Sequence, residues 1–162
     1  MAKAITTNPI EAFDEAIRLD PKDAMAWNNK GTVLSIQRKY EEAIKAYNEA
    51  IRLDPSFAAA WSNKGDALNN LSEYDDAIQA CEEAIRLDPN LAMPWSNKGG
   101  ALNGQGKYDE AIKACDEAIR LDPNISEAWY NKGIALKALG RTAEAEAAFT
   151  KAKELEAIKI AS

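Results

Sequence analysis

Histidine is absent from the 162-residue chain, which contains only two cysteines, Cys81 and Cys115. Without imidazole, Ser-His-Asp and Cys-His catalysis and most zinc or iron sites are excluded. Two cysteines are also too few for a disulfide framework. We therefore expect no metal site, no cofactor and no enzyme activity.

Basic residues and long apolar runs are also scarce. The chain has 20 Lys and Arg against 26 Asp and Glu, a formal net charge of −6. Nucleic acids and anionic membranes attract basic surfaces, which this balance does not supply. No run approaches the ~18 apolar residues of a membrane span, and the first residues lack the apolar stretch of a signal peptide. We expect a cytoplasmic protein that binds neither nucleic acid nor membranes.

What the chain does have is a repeat of 34 residues. Its four tryptophans are 34 residues apart, an Asn-Lys-Gly triplet follows each one, and Leu-Asp-Pro recurs with the same period. A fixed period of this length indicates an array of stacked units. The repeated tryptophans and glycines are Trp27, Trp61, Trp95, Trp129, Gly31, Gly65, Gly99 and Gly133.

Each unit predicts two helices, the first over about 24–37 and the second over about 40–53 in the first unit. Apolar residues of the second helix recur at i, i+3, i+4 and i+7, and the proline of Leu-Asp-Pro ends it. Residues 1–23 match only half a unit, with Asn8 as a helix cap and a helix end near Leu19. The predicted boundaries are 1–23, 24–57, 58–91, 92–125 and 126–162, which gives nine helices, the last one extended.

Two further sets of positions carry structural expectations. Gly106 and Gly140 stand at the turn between paired helices, where Arg38 and Ser72 stand in the first two units. Cys81 and Cys115 occupy equivalent positions in stacked units, which should lie ~8–10 Å apart. Since a disulfide needs about 7 Å or less between Cα atoms, we expect two free thiols.

The tryptophan, the small glycine and the following tyrosine, alanine and proline resemble the framework of the tetratricopeptide repeat (TPR) family over nearly the whole chain. This resemblance implies an all-α, right-handed superhelical solenoid of helix-turn-helix repeats. It also implies a protein–protein interaction scaffold whose first helices line a concave groove.

Carried onto this chain, the implied groove has a small, polar and nearly uncharged lining. Gly100 and Gly104 would both face it, and we expect alanine at either position to raise stability. The predicted peptide-binding residues are Asn28, Asn29, Thr32, Ser62, Asn63, Asp66, Asn69, Ser96, Asn97, Gly100, Asn103, Tyr130 and Asn131.

The asparagine that follows each tryptophan supports two interpretations. A carboxamide both donates and accepts, so a column of asparagines could pair with the backbone of a bound peptide. Such a ladder resembles the one that lines the TPR superhelix of the O-linked N-acetylglucosamine transferases. Alternatively, each asparagine satisfies groups of a neighbouring unit. The series is Asn29, Asn63, Asn97 and Asn131.

The lysine after each asparagine is also open to two interpretations. Its stem could lie on apolar surface with its head in water, or the series could form a cationic track for an acidic partner. The carboxylate clamp of chaperone-binding TPR domains, in contrast, needs Lys and Arg deeper in the groove. Asn63 fits one clamp position, but Asn28, Thr32, Met93 and Asn97 stand where other clamp residues would be, so we expect no binding of chaperone tails.

Self-association is the alternative function. The lone first helix should expose part of a face that carries Ile10, Phe13 and Ile17. The last helix carries Ala148, Phe149, Ala152 and Leu155 without the polar solvating helix that TPR arrays often add. Two unlike open ends can meet head to tail, and they also fit a segment of a longer array.

Overall fold

The computed structural model describes residues 8–161, which form nine α-helices and no strand. This confirms the predicted all-α architecture of helix-turn-helix repeats. Within these residues, no helix is both long enough and apolar enough to cross a membrane. The helices are α1 (Pro9–Leu19), α2 (Ala24–Ile36), α3 (Tyr40–Leu53), α4 (Ala58–Asn70), α5 (Tyr74–Leu87), α6 (Ala92–Gly104), α7 (Tyr108–Leu121), α8 (Ser126–Ala138) and α9 (Thr142–Ala161).

The Leu-Asp-Pro motif ends one unit and positions the next. In the first unit the N–H of Asp54 donates to the Ala50 carbonyl at 2.9 Å, and the Asp54 carboxylate accepts from the Ser56 N–H at 2.9 Å. The carbonyl of Pro55 then accepts a 3.2 Å hydrogen bond from Nε1 of Trp61. In this unit the motif therefore closes a helix and anchors the tryptophan that begins the following pair.

The turn inside each helix pair contains one residue in the left-handed region. Gly106 and Gly140 have φ of 73° and 76°, as predicted, and Arg38 and Ser72 have φ of 63° and 64°. A left-handed conformation costs a residue with a Cβ about 1–2 kcal/mol, which glycine avoids. The first two turns therefore hold strain that the last two lack.

We expect Ser72→Gly to stabilise the protein by roughly 1 kcal/mol and the reverse change, Gly106→Ser, to destabilise it by a similar amount. Both positions are exposed, so neither change alters the core. Urea denaturation at neutral pH measures both free energies of unfolding. Equal stability of the two variants would contradict this account of the turns.

Helices pack closely within a pair because a glycine of the first helix faces the second. A Cβ at Gly99 would lie 2.5 Å from Sγ of Cys115, and one at Gly65 would lie 2.6 Å from Sγ of Cys81. In the outer units the glycine faces Tyr47 or Phe149 instead. The two cysteines are buried and form no disulfide, which confirms the prediction of two free thiols.

The two end helices differ in how their apolar residues are covered. Ala148, Ala152 and Leu155 of α9 are buried, and Phe149 is half-buried, so they do not form an exposed face. Moreover, α9 has Glu146 and Lys153 at the positions that α7 fills with isoleucine. On α1, the residues Ile10, Phe13 and Ile17 are all half-buried against the array.

Candidate functional site

A groove of about 880 Å³ is lined mainly by α4, α6, α8 and α9. Its wall combines aromatic rings, asparagine amides and carboxylates. The lining residues are Asp66, Asn69, Asn70, Tyr74, Asn97, Gly100, Ser126, Glu127, Tyr130, Asn131, Phe149, Ala152, Lys153 and Glu156.

Six of the residues predicted for the groove lie in this lining: Asp66, Asn69, Asn97, Gly100, Tyr130 and Asn131. The others lie outside it. Three of them, Asn28, Ser62 and Ser96, are buried between helices. Asn29, Thr32, Asn63 and Asn103 are exposed or half-buried elsewhere on the first helices.

Sequence reasoning missed the part of the lining that comes from α9, because the family pattern assigns the concave surface to first helices. Phe149, Ala152, Lys153 and Glu156 all belong to this second helix of the last pair. A signal was present in the sequence, since Lys153 breaks the isoleucine series Ile51, Ile85 and Ile119. Such a break on a face that is otherwise apolar marks a surface that contacts water rather than another unit.

The repeated asparagines connect neighbouring units. Nδ2 of Asn63 donates to Oδ1 of Asn28 at 3.0 Å. Nδ2 of Asn97 donates to the Ser62 carbonyl at 3.2 Å, and that of Asn131 donates to the Ser96 carbonyl at the same distance. These contacts are those of the second interpretation, in which an asparagine satisfies groups of the preceding unit.

A second set of asparagine contacts runs in the opposite direction along the array. Nδ2 of Asn69 donates to the Asn97 carbonyl at 2.7 Å, and Nδ2 of Asn103 donates to the Asn131 carbonyl at 2.8 Å. First helices are therefore tied together by amides from both sides. The floor of the groove is held in place by hydrogen bonds as well as by apolar packing.

The two glycines expected to face the groove behave differently. A Cβ at Gly100 would make ordinary contacts with Nδ2 of Asn131 at 3.4 Å and Nδ2 of Asn69 at 3.6 Å. A Cβ at Gly104 would overlap the ring of Tyr74, and Gly104 does not line the groove. The expected gain in stability from alanine therefore applies to Gly100 but not to Gly104, where Tyr74 must move.

Asp66 is the carboxylate that the fold places deepest in the groove. Burial raises the pKa of Asp66, and the negative charge of Glu127 raises it further. No Lys or Arg within residues 8–161 forms an ion pair with it. The carboxylate thus remains in a half-buried position where its charge is unfavourable.

Asp66→Asn should therefore stabilise the folded protein at pH 7. Because the pKa of Asp66 is higher in the folded than in the unfolded state, ionisation of Asp66 lowers the free energy of unfolding as pH rises, and protonation restores it. The advantage of the variant should therefore shrink as pH falls towards about 4, the ordinary pKa of an aspartate, and be absent below it. Thermal unfolding of both proteins between pH 3 and 7 measures this difference, and a variant less stable at pH 7 would contradict the reasoning.

The lysine series lies over the tryptophans and outside the groove. The Nζ atoms of Lys30, Lys64, Lys98 and Lys132 are 5.4–5.8 Å from the ring centroids of the tryptophans three residues earlier. Three of them also pair with a carboxylate 16 residues earlier, at 2.6–2.8 Å. The ion pairs of these three lysines therefore join consecutive units, whereas the cation–π contacts lie within a single helix.

Lys64 is the exception, because Asn48 stands where the other units have Asp14, Glu82 and Asp116. Burial lowers the pKa of Lys64, and the nearby charge of Asp76 partly restores it. We expect Asn48→Asp to add the missing ion pair and to stabilise the protein by about 0.2–1 kcal/mol.

The matched control for this change is Asp116→Asn, which removes the equivalent pair from Lys132 and should cost a similar amount. Urea denaturation at low salt compares both variants with the native chain. Both differences should shrink in 1 M NaCl, where screening is strong. An Asn48→Asp variant with no gain at low salt would show that the repeated pair contributes nothing to stability.

The residues described by the structure contain no group of three or more Cys, Asp or Glu side chains arranged to hold a metal ion. The arrangement can supply hydrogen bonds, charge and apolar contact to another molecule.

Comparison with known proteins agrees with this arrangement. Residues 10–56, 37–92 and 97–157 match the family model described as tetratricopeptide repeat. The crystal structure of MamA is 27% identical, with a TM-score of 0.75, and the match covers 94% of this chain and 90% of that one. No curated protein matches the chain.

Two structures of RPAP3 match a smaller part of the chain. The first TPR domain of the human RPAP3 protein is 28% identical, with a TM-score of 0.70 over 75% of this chain and 96% of that domain. The first TPR of Spaghetti (RPAP3) bound to the HSP90 peptide SRMEEVD is also 28% identical, with a TM-score of 0.69 and the same coverage.

Proposed function

Because the chain belongs to the tetratricopeptide repeat family, whose members mediate protein–protein interactions, we propose that it is a non-catalytic scaffold that holds a peptide or partner segment in the groove between α4, α6, α8 and α9. The observation that carries this proposal is the groove itself, a cleft of about 880 Å³ with aromatic rings and polar groups on its wall. The similarity to an RPAP3 domain that binds a peptide supports it.

The aromatic part of the wall offers an anchor for an apolar side chain. The rings of Tyr130 and Phe149 are 5.5 Å apart at an interplanar angle of 56°. Tyr130 is 55% exposed although it is a large aromatic residue. Exposed aromatic rings in a concave surface are typical contributors to binding energy.

The asparagines would contribute to binding through those amide N–H and C=O groups that are not used in hydrogen bonds between units. Asn131 uses one N–H for the Ser96 carbonyl and is half-buried at the groove wall. Its second N–H and its Oδ1 can pair with the backbone of a bound segment. In this proposal the two ladder residues that line the groove, Asn97 and Asn131, have two roles: each amide binds the preceding unit and presents its remaining groups to the bound segment.

An array of random twelve-residue peptides, probed with the labelled protein, tests the proposal. We expect a subset of the peptides to bind the native chain, and we expect the same peptides not to bind the Tyr130→Ala variant. The matched control is Ile36→Ala, which removes a side chain that is 77% exposed and does not line the groove. Retention of no peptide, or equal retention by the native chain and Tyr130→Ala, would overturn the proposal.

Self-association through the ends is the alternative, and exposed apolar residues at the ends favour it. Ile158 and Ile160 of α9 are 64% and 83% exposed, and Leu19 at the end of α1 is 71% exposed. Sedimentation velocity across a wide concentration range tests this idea with the native chain and with Ile158→Ser combined with Ile160→Ser. A strict monomer at high concentration, or association that both proteins share, would reject this route.

A further inference from the structure

The partner segment of the proposed groove can be described by its charge. Three carboxylates, Asp66, Glu127 and Glu156, line the groove together with a single cation, Lys153. The resemblance to the family predicted a nearly uncharged lining, and the structure shows an excess of negative charge instead. A groove with one sign of charge favours a segment of the opposite sign and repels one of the same sign.

Asp66 is particular to one unit of the array. The equivalent positions in the other units are Thr32, Gly100 and Ile134, none of which is charged. Burial and the charge of Glu127 raise the pKa of Asp66, so this carboxylate is held where water solvates it poorly. A cation brought by a partner would offset both effects by its attraction to the carboxylate.

Glu127 is held at the opposite wall by α8. Its Oε2 accepts a hydrogen bond from Oγ of Ser126 at 3.0 Å, and its Oε1 is 3.9 Å from Nζ of Lys159. That lysine side chain is 75% exposed, so the pair lies in water where ion pairs are weak. A partner cation next to Glu127 therefore competes with a weak contact.

Between these carboxylates the groove accepts both a backbone and an apolar side chain. Gly100 leaves the floor without a side chain, and the nearest groups there are the amides of Asn69 and Asn131. The rings of Tyr130 and Phe149 form the adjoining wall. A cation can also lie over the face of an exposed aromatic ring, which adds to the carboxylate attraction.

We propose that the groove binds a partner segment in which a lysine or arginine reaches between Asp66 and Glu127 while a neighbouring apolar side chain contacts Tyr130 and Phe149. This inference rests on the proposed function and adds the chemical class of the partner. The preferred segment is opposite in character to SRMEEVD, the peptide bound by the RPAP3 domain, which has three acidic residues and one basic residue.

The first test uses an array of random octapeptides of balanced composition, with two defined probes: SRMEEVD, and SRMKKVR, in which basic residues replace the three acidic ones. We expect the retained peptides to be enriched in lysine and arginine, and SRMKKVR to bind more tightly than SRMEEVD. If the peptides that bind show no enrichment in basic residues and do not bind the Tyr130→Ala variant, the charge inference is overturned and the proposed function stays in place. Retention of no peptide would overturn both.

The second test measures fluorescence anisotropy of the best retained peptide with two double variants of equal net charge. Asp66→Asn with Glu127→Gln neutralises the groove, whereas Asp109→Asn with Glu42→Gln neutralises exposed residues on the outer helices. We expect the groove variant to weaken Kd about tenfold or more and the control variant to change it less than twofold. Equal effects of the two variants would overturn the inference.

Misfolding is not the expected cause of a loss of binding in this design, since Asp66→Asn should raise stability and the Glu127 side chain is 50% exposed. The salt dependence provides a further readout, because attraction between the peptide and the groove should weaken from 50 mM to 500 mM NaCl. In the groove variant this dependence should nearly vanish. A steep dependence that survives the neutralisation would place the charge contact elsewhere and overturn the inference.

Discussion

Gly99→Ala should destabilise the protein by about 1–3 kcal/mol, whereas Gly100→Ala, one residue further along α6, should be neutral or up to about 1 kcal/mol more stable. At Gly99 the new Cβ would lie 2.5 Å from Sγ of Cys115 and 3.4 Å from the Ala111 carbonyl. At Gly100 the nearest groups are two amide nitrogens at ordinary contact distance. Alanine improves helix propensity equally at both positions. The difference in the free energy of unfolding between the two variants therefore measures the cost of the contact between the new Cβ and Cys115.

A second substitution tests whether Sγ of Cys115 causes the loss of stability in Gly99→Ala. Cys115→Ala removes the sulfur that the new methyl group meets and leaves the backbone contacts, which are close to ordinary. In the combined Gly99→Ala and Cys115→Ala protein, the loss should be smaller than the sum of the single losses. Urea denaturation of the four proteins completes the cycle. Purely additive losses would mean that the helix backbones, and not the thiol, set the spacing.

Both thiols should be nearly inert while the protein is folded. Cys81 and Cys115 are fully buried, and burial raises the pKa of each to about 12. Against the ordinary value of 9.0, the thiolate fraction near pH 8 is lower by about 1000-fold. Labelling with an aromatic disulfide reagent should therefore be at least that much slower than for a free cysteine, and should be complete at two groups in guanidinium chloride.

The labelling rate also reports local opening of the array. When reclosing is faster than the reaction, the rate follows the free energy of the opening that exposes the thiol. Gly99→Ala should accelerate labelling of Cys115, whereas Ser72→Gly should slow labelling of Cys81. Fast reaction of either thiol in the native protein would contradict the burial on which this prediction rests.

The same shift has a consequence for alkaline stability. Above pH 9 the thiols of the unfolded chain ionise, whereas the folded thiols keep their protons to about pH 12. The unfolded state then binds fewer protons, so the free energy of unfolding falls as pH rises through this window. Replacement of both cysteines with alanine should flatten this part of the pH profile.

Most of the fold could be predicted from the sequence because its signals are repeated. Proline after Leu-Asp fixed the end of each second helix, and the periodic apolar positions fixed its buried face; α3, α5 and α7 begin at a tyrosine and end at a leucine, as that pattern predicts. The left-handed turn residues Gly106 and Gly140 could also be predicted from the sequence. At Arg38 and Ser72, which replace glycine in the first two units, the structure was needed to show that the left-handed conformation is kept.

The groove was harder to predict because its chemistry depends on positions where the units differ. Asp66, Glu127 and Lys153 each break a series that is uncharged in the other units, and a repeat pattern describes only what the units share. The direction of the asparagine amides was also undetermined, since one carboxamide can serve a bound segment or an adjacent helix. Three-dimensional contacts were needed to show that Nδ2 of Asn63, Asn97 and Asn131 reaches back to the preceding unit.

Position 48 carries asparagine where the other units carry a carboxylate, and this difference affects how the molecule would unfold under a pulling force. Four junctions join consecutive units, and three of them carry an ion pair from the lysine of one unit to an acid of the one before. The junction between α3 and α4 has Lys64 without that acid, so among the three junctions between complete helix pairs it should resist least when the two ends are drawn apart. Under a pulling force these pairs are expected to separate there first, leaving the pairs from α4 to α9 stacked.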